Sequence, residues 1–318
     1  MFAPLKRYSA CDKRYYRGNG EKEHEREEES GGLASLAVLL AALLVVTACG
    51  GGGSAGGSGS GGGNLLQEIK DRGTLRVSTD PAYPPQSFQS NTGEFKGFDI
   101  DVAEEIAKRM GVKVQWLTPS WDVITAGNWN GRWDVSVGSM TITPERAKVL
   151  YFSPPYYYTP AAAAVHESNT DITNVKTDLD GKTIGVCGAC TYEFYLEGTL
   201  NIPGDYKFVV DNPQIKTYDT DSSAIQDLAL GDGVRLDAAM SSLTTLKEAE
   251  KSGTPIKIVG DPLFYEPLAV AIDKESPANP KPLVDEVSKI VEEMHKDGTL
   301  TKLSKKWFGY DLTEKQGA

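Results

Sequence analysis

The stretch Gly138-Ser139-Met140-Thr141-Ile142-Thr143-Pro144-Glu145-Arg146 carries the densest set of groups able to hold an anion. Thr143 is a suitable N-cap, and Pro144 at the next position has its backbone angle preset for a helix start. A helix N-terminus offers unpaired N–H groups and a partial positive charge. Side chains in the first turn lean back toward the N-terminus, so Arg146 can reach over Ser139 and Thr141. A guanidinium forks onto a carboxylate with two parallel hydrogen bonds. The set therefore suits a small carboxylate held by Arg146, hydroxyls and backbone N–H groups. It also fits a surface arginine paired with Glu145 or another nearby acid. Cys187-Gly188-Ala189-Cys190-Thr191 is a second strand-to-helix turn, with further free N–H groups and the Thr191 hydroxyl. Two such turns, one on each side, would grip one carboxylate between them.

Flat side chains accompany these turns. Tyr83, in Thr79-Asp80-Pro81-Ala82-Tyr83, and Trp121 can wall the apolar or cationic part of a ligand. Trp129, Trp133 and Trp307 read as packing residues. His24, His166 and His295 stand far apart, without metal-ligand spacing, and read as surface residues.

Such groups need strand ends to hold them. Residues 75–79 (LRVST) alternate apolar and polar side chains as a strand does. Residues 99–110 predict a helix with Val102, Ala103, Ile106, Ala107 and Met110 on one face and Gly111 as its stop. Strands follow at 112–116 and 134–138, and this alternation predicts a mainly parallel sheet covered by helices. The pattern restarts with a strand at 182–186, a helix from Thr191, and strands at 236–239 and 256–259. A third group has a strand at 268–272, a helix with Leu283, Val287, Ile290, Val291 and Met294 on one stripe, and a last short helix ending near Trp307.

Residues 156–165 (YYYTPAAAAV) are extended and aromatic, with no helix cap, which predicts a strand crossing between two lobes. Residues 264–271 predict the return crossing, and two crossings make a hinge that bends without swivelling freely. Ligands of open α/β sheets sit beyond the carboxyl ends of the strands, so an interlobe cleft is the expected site. The expected division is lobe 1 at residues 65–160 and 263–318 and lobe 2 at residues 161–262. A chain of 318 residues is long enough for two such bodies. Its net charge of −11 makes nucleic acid and anionic membrane surfaces poor partners, so an anionic ligand needs a local cation.

Upstream, residues 33–46 (LASLAVLLAALLVV) suit a signal-peptide core and are short for a membrane span. The run ends in Val46-Thr47-Ala48-Cys49, which resembles a bacterial lipoprotein cleavage box. That resemblance implies removal of residues 1–48 and a lipid on Cys49. The mixed charges of residues 21–29 (EKEHEREEE) stand where a short basic region is expected, so the true translation start is expected downstream of Met1. The Gly/Ser run ending at Asn64 makes residues 49–64 an anchor and flexible tether. The expected product is a monomer, exported and lipid-anchored to the outer face of the cytoplasmic membrane. In an oxidising space a disulfide is expected between Cys187 and Cys190. A redox pair is the other reading of this spacing, and a metal site would need ligands that the sequence lacks.

Together these stretches resemble the family 3 extracellular solute-binding proteins, the polar amino-acid type that feeds ABC importers. Gly97-Phe98-Asp99-Ile100-Asp101-Val102-Ala103-Glu104-Glu105-Ile106-Ala107 is similar to the family signature. Thr141-Ile142-Thr143-Pro144-Glu145-Arg146 resembles its arginine-bearing segment, and Asp297-Gly298-Thr299 through Trp307-Phe308-Gly309 its usual ending. The resemblance implies the type II periplasmic-binding-protein fold: two α/β lobes joined by a two-strand hinge, closing on a ligand in the cleft. It implies that Arg146 pairs with the ligand carboxylate, and that Ser139 and Thr141 contact its carboxylate and amino groups. Tyr83 and Trp121 would sandwich the side chain, Asp80 would meet a basic ligand end, and Cys190 and Thr191 would offer backbone N–H groups.

One departure stands out. Ser242 occupies the position where the family places an aspartate for the α-ammonium. A hydroxyl accepts one neutral hydrogen bond but supplies no charge, and hydrogen bonds to charged groups contribute about 1.5–3 kcal/mol. Either another acid compensates, or the ligand is an opine, an amino-acid derivative or an organic acid without a free α-amino group. The implied function is capture of a small carboxylate-bearing solute, an amino acid foremost, and its delivery to an ABC permease, with no cofactor. The fold also resembles that of cyclohexadienyl dehydratases. Such an enzyme would need a cleft acid of raised pKa, for which Glu193 and Glu266 are the candidates. A sensor ectodomain would need a separate signalling partner.

Overall fold

The computed structural model of the chain describes residues 63–314. The expected leader with His24, the lipidation site at Cys49 and the tether up to residue 62 lie outside them. Asn64, expected at the end of the tether, belongs to the folded body. Its side chain accepts the Gln67 N–H at 3.3 Å and caps helix α1 (Leu65–Arg72). No helix among the described residues is long and apolar enough to cross a membrane.

The first lobe continues with strand β1 (Thr74–Ser78) and a small sheet of β2 (Ala82–Tyr83), β3 (Ser87–Gln89) and β4 (Phe95–Lys96). Then come helix α2 (Phe98–Met110), β5 (Lys113–Leu117), α3 (Trp121–Thr125), β6 (Val135–Thr141), α4 (Arg146–Val149) and β7 (Leu150–Phe152). Strand β8 (Tyr157–His166) crosses to the second lobe, which holds β9 (Thr183–Cys187), α5 (Thr191–Leu196), β10 (Gln214–Tyr218), α6 (Asp221–Leu228), β11 (Ala238–Ser242) and α7 (Leu243–Lys251). Strand β12 (Ile256–Asp273) returns, and α8 (Lys281–Lys296) and α9 (Thr299–Phe308) close the first lobe.

One sheet runs through both lobes in the order β10-β9-β11-β8-β12-β6-β1-β5, with β7 also paired to β12. The outer strands of each lobe pair in parallel, as expected, while β8 and β12 are antiparallel to each other and to their neighbours. The strand expected at 256–259 and the one expected at 268–272 are two ends of β12, which shifts register between Val259 and Phe264. Tyr157 and Leu268 pack in the first lobe's core, Ala161 and Phe264 in the second's. Phe264, expected on the first lobe's side of the return crossing, therefore belongs to the second lobe, against Tyr192, Tyr195 and Tyr206.

Two local devices fix the strands that carry the site. Just before β6, the buried Asp134 carboxylate accepts the Arg76 N–H at 2.8 Å and pairs with the guanidinium groups of Arg72 at 2.5 Å and Arg76 at 2.6 Å. Just before β11, Asp237 accepts the Thr183 N–H at 2.7 Å. Each acid ties the start of one parallel strand to its neighbour, so both lobes align their strand ends in the same way. The glycine of the Gly97-Phe98-Asp99 motif is also needed sterically. Its φ is 133°, and a Cβ there would lie 2.1 Å from the Gln86 carbonyl oxygen.

Replacing Asp134 by Ala strands two partly buried guanidinium groups and one backbone N–H. The expected loss is about 2–3 kcal/mol of unfolding free energy. Glu105→Ala, which breaks ion pairs with Lys108 and Arg109 on the surface of α2, should cost less than about 1 kcal/mol. Urea denaturation followed by circular dichroism checks both.

Candidate functional site

Where the two lobes face each other, they leave a cavity of about 40 Å³ between them. A ligand pocket usually has several hundred Å³, so the lobes must part for an amino acid to enter. Asp80, Tyr83, Trp121, Ser139, Thr141 and Arg146 line it from the first lobe, and Cys190 and Thr191 from the second. The residues singled out from sequence are thus brought together, with one exception. Ser242 does not line the cavity. It is fully buried at the N-cap of α7, where its hydroxyl accepts the Thr245 N–H at 3.2 Å and a hydrogen bond from Gln86 Nε2 at 2.8 Å. The expectation that Ser242 touches ligand is corrected accordingly: its hydroxyl is committed to the junction between the lobes.

Arg146 is 5% exposed, which rules out the surface ion pair with Glu145. The Thr143 hydroxyl accepts its backbone N–H at 3.2 Å, anchoring the turn. The guanidinium lies over the Trp121 ring at 5.2 Å and donates to the Thr141 carbonyl at 3.0 Å and, across the cleft, to the Ala189 carbonyl at 2.9 Å. Burial lowers its pKa to about 10, against the opposing pull of Glu266. Glu266, on the crossing strand β12, accepts hydrogen bonds from the hydroxyls of Thr141 at 2.8 Å, Tyr192 at 2.9 Å and Thr191. Burial raises its pKa, and the three hydroxyls and Arg146 restrain the rise.

Beneath Ser139 lies a second buried acid. Ser139 has a φ of 53°, a conformation unfavourable for a residue with a Cβ. Its N–H donates to the Tyr156 hydroxyl at 3.0 Å, and its own hydroxyl donates to Asp99 at 2.7 Å and lies 2.6 Å from the Tyr157 hydroxyl. Asp99 also accepts from Tyr156 at 2.7 Å. These bonds hold the left-handed turn that ends the straight run of β6. They also occupy the Ser139 hydroxyl, which was expected to face the ligand. Burial raises the Asp99 pKa to about 7.

On the opposite wall, Cys187 and Cys190 form a disulfide with a Cα–Cα distance of 5.6 Å. It closes the turn whose Ala189 carbonyl receives both Arg146 and, at 3.2 Å, Trp121 Nε1. Other bonds cross the cleft: the Tyr83 and Tyr192 hydroxyls lie 3.2 Å apart, and the Ser222 hydroxyl donates to the Ala82 carbonyl at 2.6 Å. The lobes are therefore closed on each other. Glu193 accepts the Ala189 N–H at 2.6 Å and lies in the outer groove, not in the enclosed space.

Residues 75–310 match the family described as bacterial extracellular solute-binding proteins, family 3. The chain belongs to that family. The L-cystine-binding protein TcyJ of Escherichia coli K12 is 35% identical over 251 residues, which is 79% of this chain and 88% of that protein. An ancestral arginine-binding protein bound to arginine superposes with a TM-score of 0.64 at 36% identity, covering 75% of this chain and 99% of the other. The ancestral amino acid-binding protein AncCDT-1, a precursor of cyclohexadienyl dehydratase, gives a TM-score of 0.66 at 34% identity, covering 77% and 100%. The fold is the type II periplasmic-binding-protein fold, and the chain is a substrate-binding protein of the ABC-transporter class.

For this binding protein, sequence reasoning missed Tyr192, Asp219, Thr220 and Asp221, all of which line the cavity. A signal existed. Tyr218-Asp219-Thr220-Asp221 is a third strand-to-helix turn, with Thr220 capping α6 by accepting the Ser223 N–H. It was overlooked because β10 is an edge strand (QIKTY) with one aliphatic residue, and gives little alternation. Asp221 is also buried, and its pKa is raised to about 7 by burial and by the charges of Asp80 and Glu266, against the easing effect of Ser241.

Asp99 and Asp221 both hold a proton in the folded state through a pH range in which the unfolded chain has lost it. Their contribution to stability is complete below about pH 4 and is lost as the pH rises through 7, by about 1.4 kcal/mol per pH unit for each group. Without ligand, the melting temperature should therefore fall from pH 5 to pH 7. Asp99→Asn should flatten part of that slope, as read by calorimetry across the range.

Proposed function

We propose that this chain captures a single amino acid between its lobes and delivers it to the permease of an ABC importer. The observation that carries the reading is the buried Arg146 guanidinium, aimed into a closed cleft and held there by carbonyl groups. A ligand carboxylate replaces those two carbonyl partners with two charge-assisted hydrogen bonds, which are stronger. Thr141 and Thr191 flank the same spot, and Trp121 forms a flat wall beside the guanidinium. Glu266 takes the part that an aspartate at position 242 would otherwise play. It lies between Thr141 and Thr191 and is attracted to Arg146, so its remaining lone pair is placed for an α-ammonium next to the carboxylate. Several relatives are named for an amino acid, which supports that class over an organic acid, while one, at 29% identity, is an octopine-binding protein, so an opine belongs in the same screen.

The dehydratase reading is the weaker one. Of the two glutamates considered, Glu266 lines the cavity, and its oxygens already accept three hydroxyl hydrogen bonds. A general acid must instead direct a proton toward a leaving group. Glu193 lies outside the enclosed space. The leader, the lipid on Cys49 and the Gly/Ser tether complete the proposal. A monomer anchored by lipid to the outer face of the cytoplasmic membrane, without cofactor, holds its cargo within reach of the permease.

The test is a thermal-shift and calorimetric screen of the common amino acids on the wild type and Arg146→Met. At least one amino acid should bind with micromolar or tighter affinity, about −8 kcal/mol. The variant should lose at least about 100-fold in affinity, about 2.7 kcal/mol, while melting cooperatively. Turnover of prephenate or arogenate, or normal binding by Arg146→Met, would contradict the reading.

A further inference from the structure

The charges around the cavity do not balance for a simple zwitterion. Arg146 is the one cation among the described lining residues, against four acids, Asp80, Asp219, Asp221 and Glu266, with Asp221 ionised above about pH 7. An α-carboxylate and an α-ammonium engage Arg146 and Glu266 and leave the other acids without a counter-charge. Asp221 is the most exposed to this deficit. It is the first residue of α6, is 6% exposed, and its buried Oδ1 has no hydrogen-bond partner within 3.5 Å, the Ser241 hydroxyl easing its charge only from beyond that distance. A buried carboxylate oxygen without a partner costs free energy that a cation in the cavity would recover.

The groups facing Asp221 supply no such cation. They are Asp80 after β1, Tyr83 on β2, Tyr192 on α5, the Ser241 hydroxyl on β11 and Glu266 on β12. Cys187 at the end of β9 and Cys190 beyond it place their sulfurs within 4.8 Å of an Asp221 oxygen, but the disulfide removes them as metal ligands.

Building on the amino-acid reading, we propose that Asp221 receives a second, distal cation of the ligand. The site then selects dibasic amino acids such as arginine and lysine over neutral ones. Asp80 shares the same charge from the first lobe. Cystine fits less well despite the name of one relative. Its far end carries a carboxylate as well as an ammonium, and that carboxylate would face Asp80 and Asp221 with no cation to meet it.

Calorimetric titration of the chain with L-arginine, L-lysine, L-citrulline and L-cystine at pH 8 tests this, since citrulline has the shape of arginine without its side-chain charge. Arginine or lysine should bind at least 30-fold more tightly than citrulline. Asp221→Asn should reduce that ratio at least tenfold. Citrulline or cystine binding as tightly as arginine, no binding of arginine or lysine, or an unchanged ratio in Asp221→Asn would each overturn the proposal. The amino-acid reading falls separately, if Arg146→Met binds normally. Should Asp221→Asn fail to fold, the wild type alone decides. A distal cation must displace the proton from Asp221, so arginine affinity should rise about tenfold from pH 6 to pH 8 for a group near 7. A flat profile would overturn the proposal.

Discussion

Arg146 is a permanent charge taken out of water, and most of what surrounds it follows from that cost. Burial alone would make such a guanidinium strongly destabilising, so it must be compensated by partners. Two carbonyls, one from each lobe, and the Trp121 ring provide part of this, and the Glu266 carboxylate provides opposite charge. None of these matches a bidentate carboxylate. The closed protein therefore keeps an unsatisfied preference for an anion at one point in the cleft. The acids around it impose the complementary preference for cations a short distance away.

That arrangement links binding to closure. The Ala189 carbonyl accepts from Arg146 and Trp121 because the disulfide-closed turn presents it to the first lobe. Gln86 reaches the hydroxyls of Ser242, Thr244 and Thr245, which lie at the start of α7 in the second lobe. The serine at position 242 makes sense in this setting. A carboxylate there would be a charge inside a fully buried cluster of hydroxyls, whereas a serine both accepts from Gln86 and caps the helix. Two other acids, Glu266 on the hinge strand and Asp221 at the start of α6, line the cavity.

Much of this was legible in the sequence where a local rule specifies the geometry. The apolar stripe of α8 is buried residue by residue, and Gly111 ends α2 in a left-handed conformation. The turns before Arg146 and Thr191 could be found because each follows an apolar strand, although α4 starts at Arg146 with Glu145 as its N-cap, later than the expected start after Thr143. What stayed hidden depends on contacts between residues distant in the chain. That Ser139 turns its hydroxyl down to Asp99 is set by the pairing of β6 with the packing of α2. That Glu266 lies between Thr141 and Thr191 requires β12 to cross from one lobe to the other without a break. Asp221 was missed for a third reason: an edge strand with a single aliphatic residue gives no alternation from which its turn could be placed.

The most direct measurement is a high-resolution structure of the chain crystallised with the amino acid that it binds. The account predicts that both terminal nitrogens of Arg146 leave the carbonyls of Thr141 and Ala189 and lie about 2.7–2.9 Å from the two oxygens of the ligand carboxylate. A guanidinium still on those carbonyls, with the ligand carboxylate held elsewhere in the cleft, would contradict it.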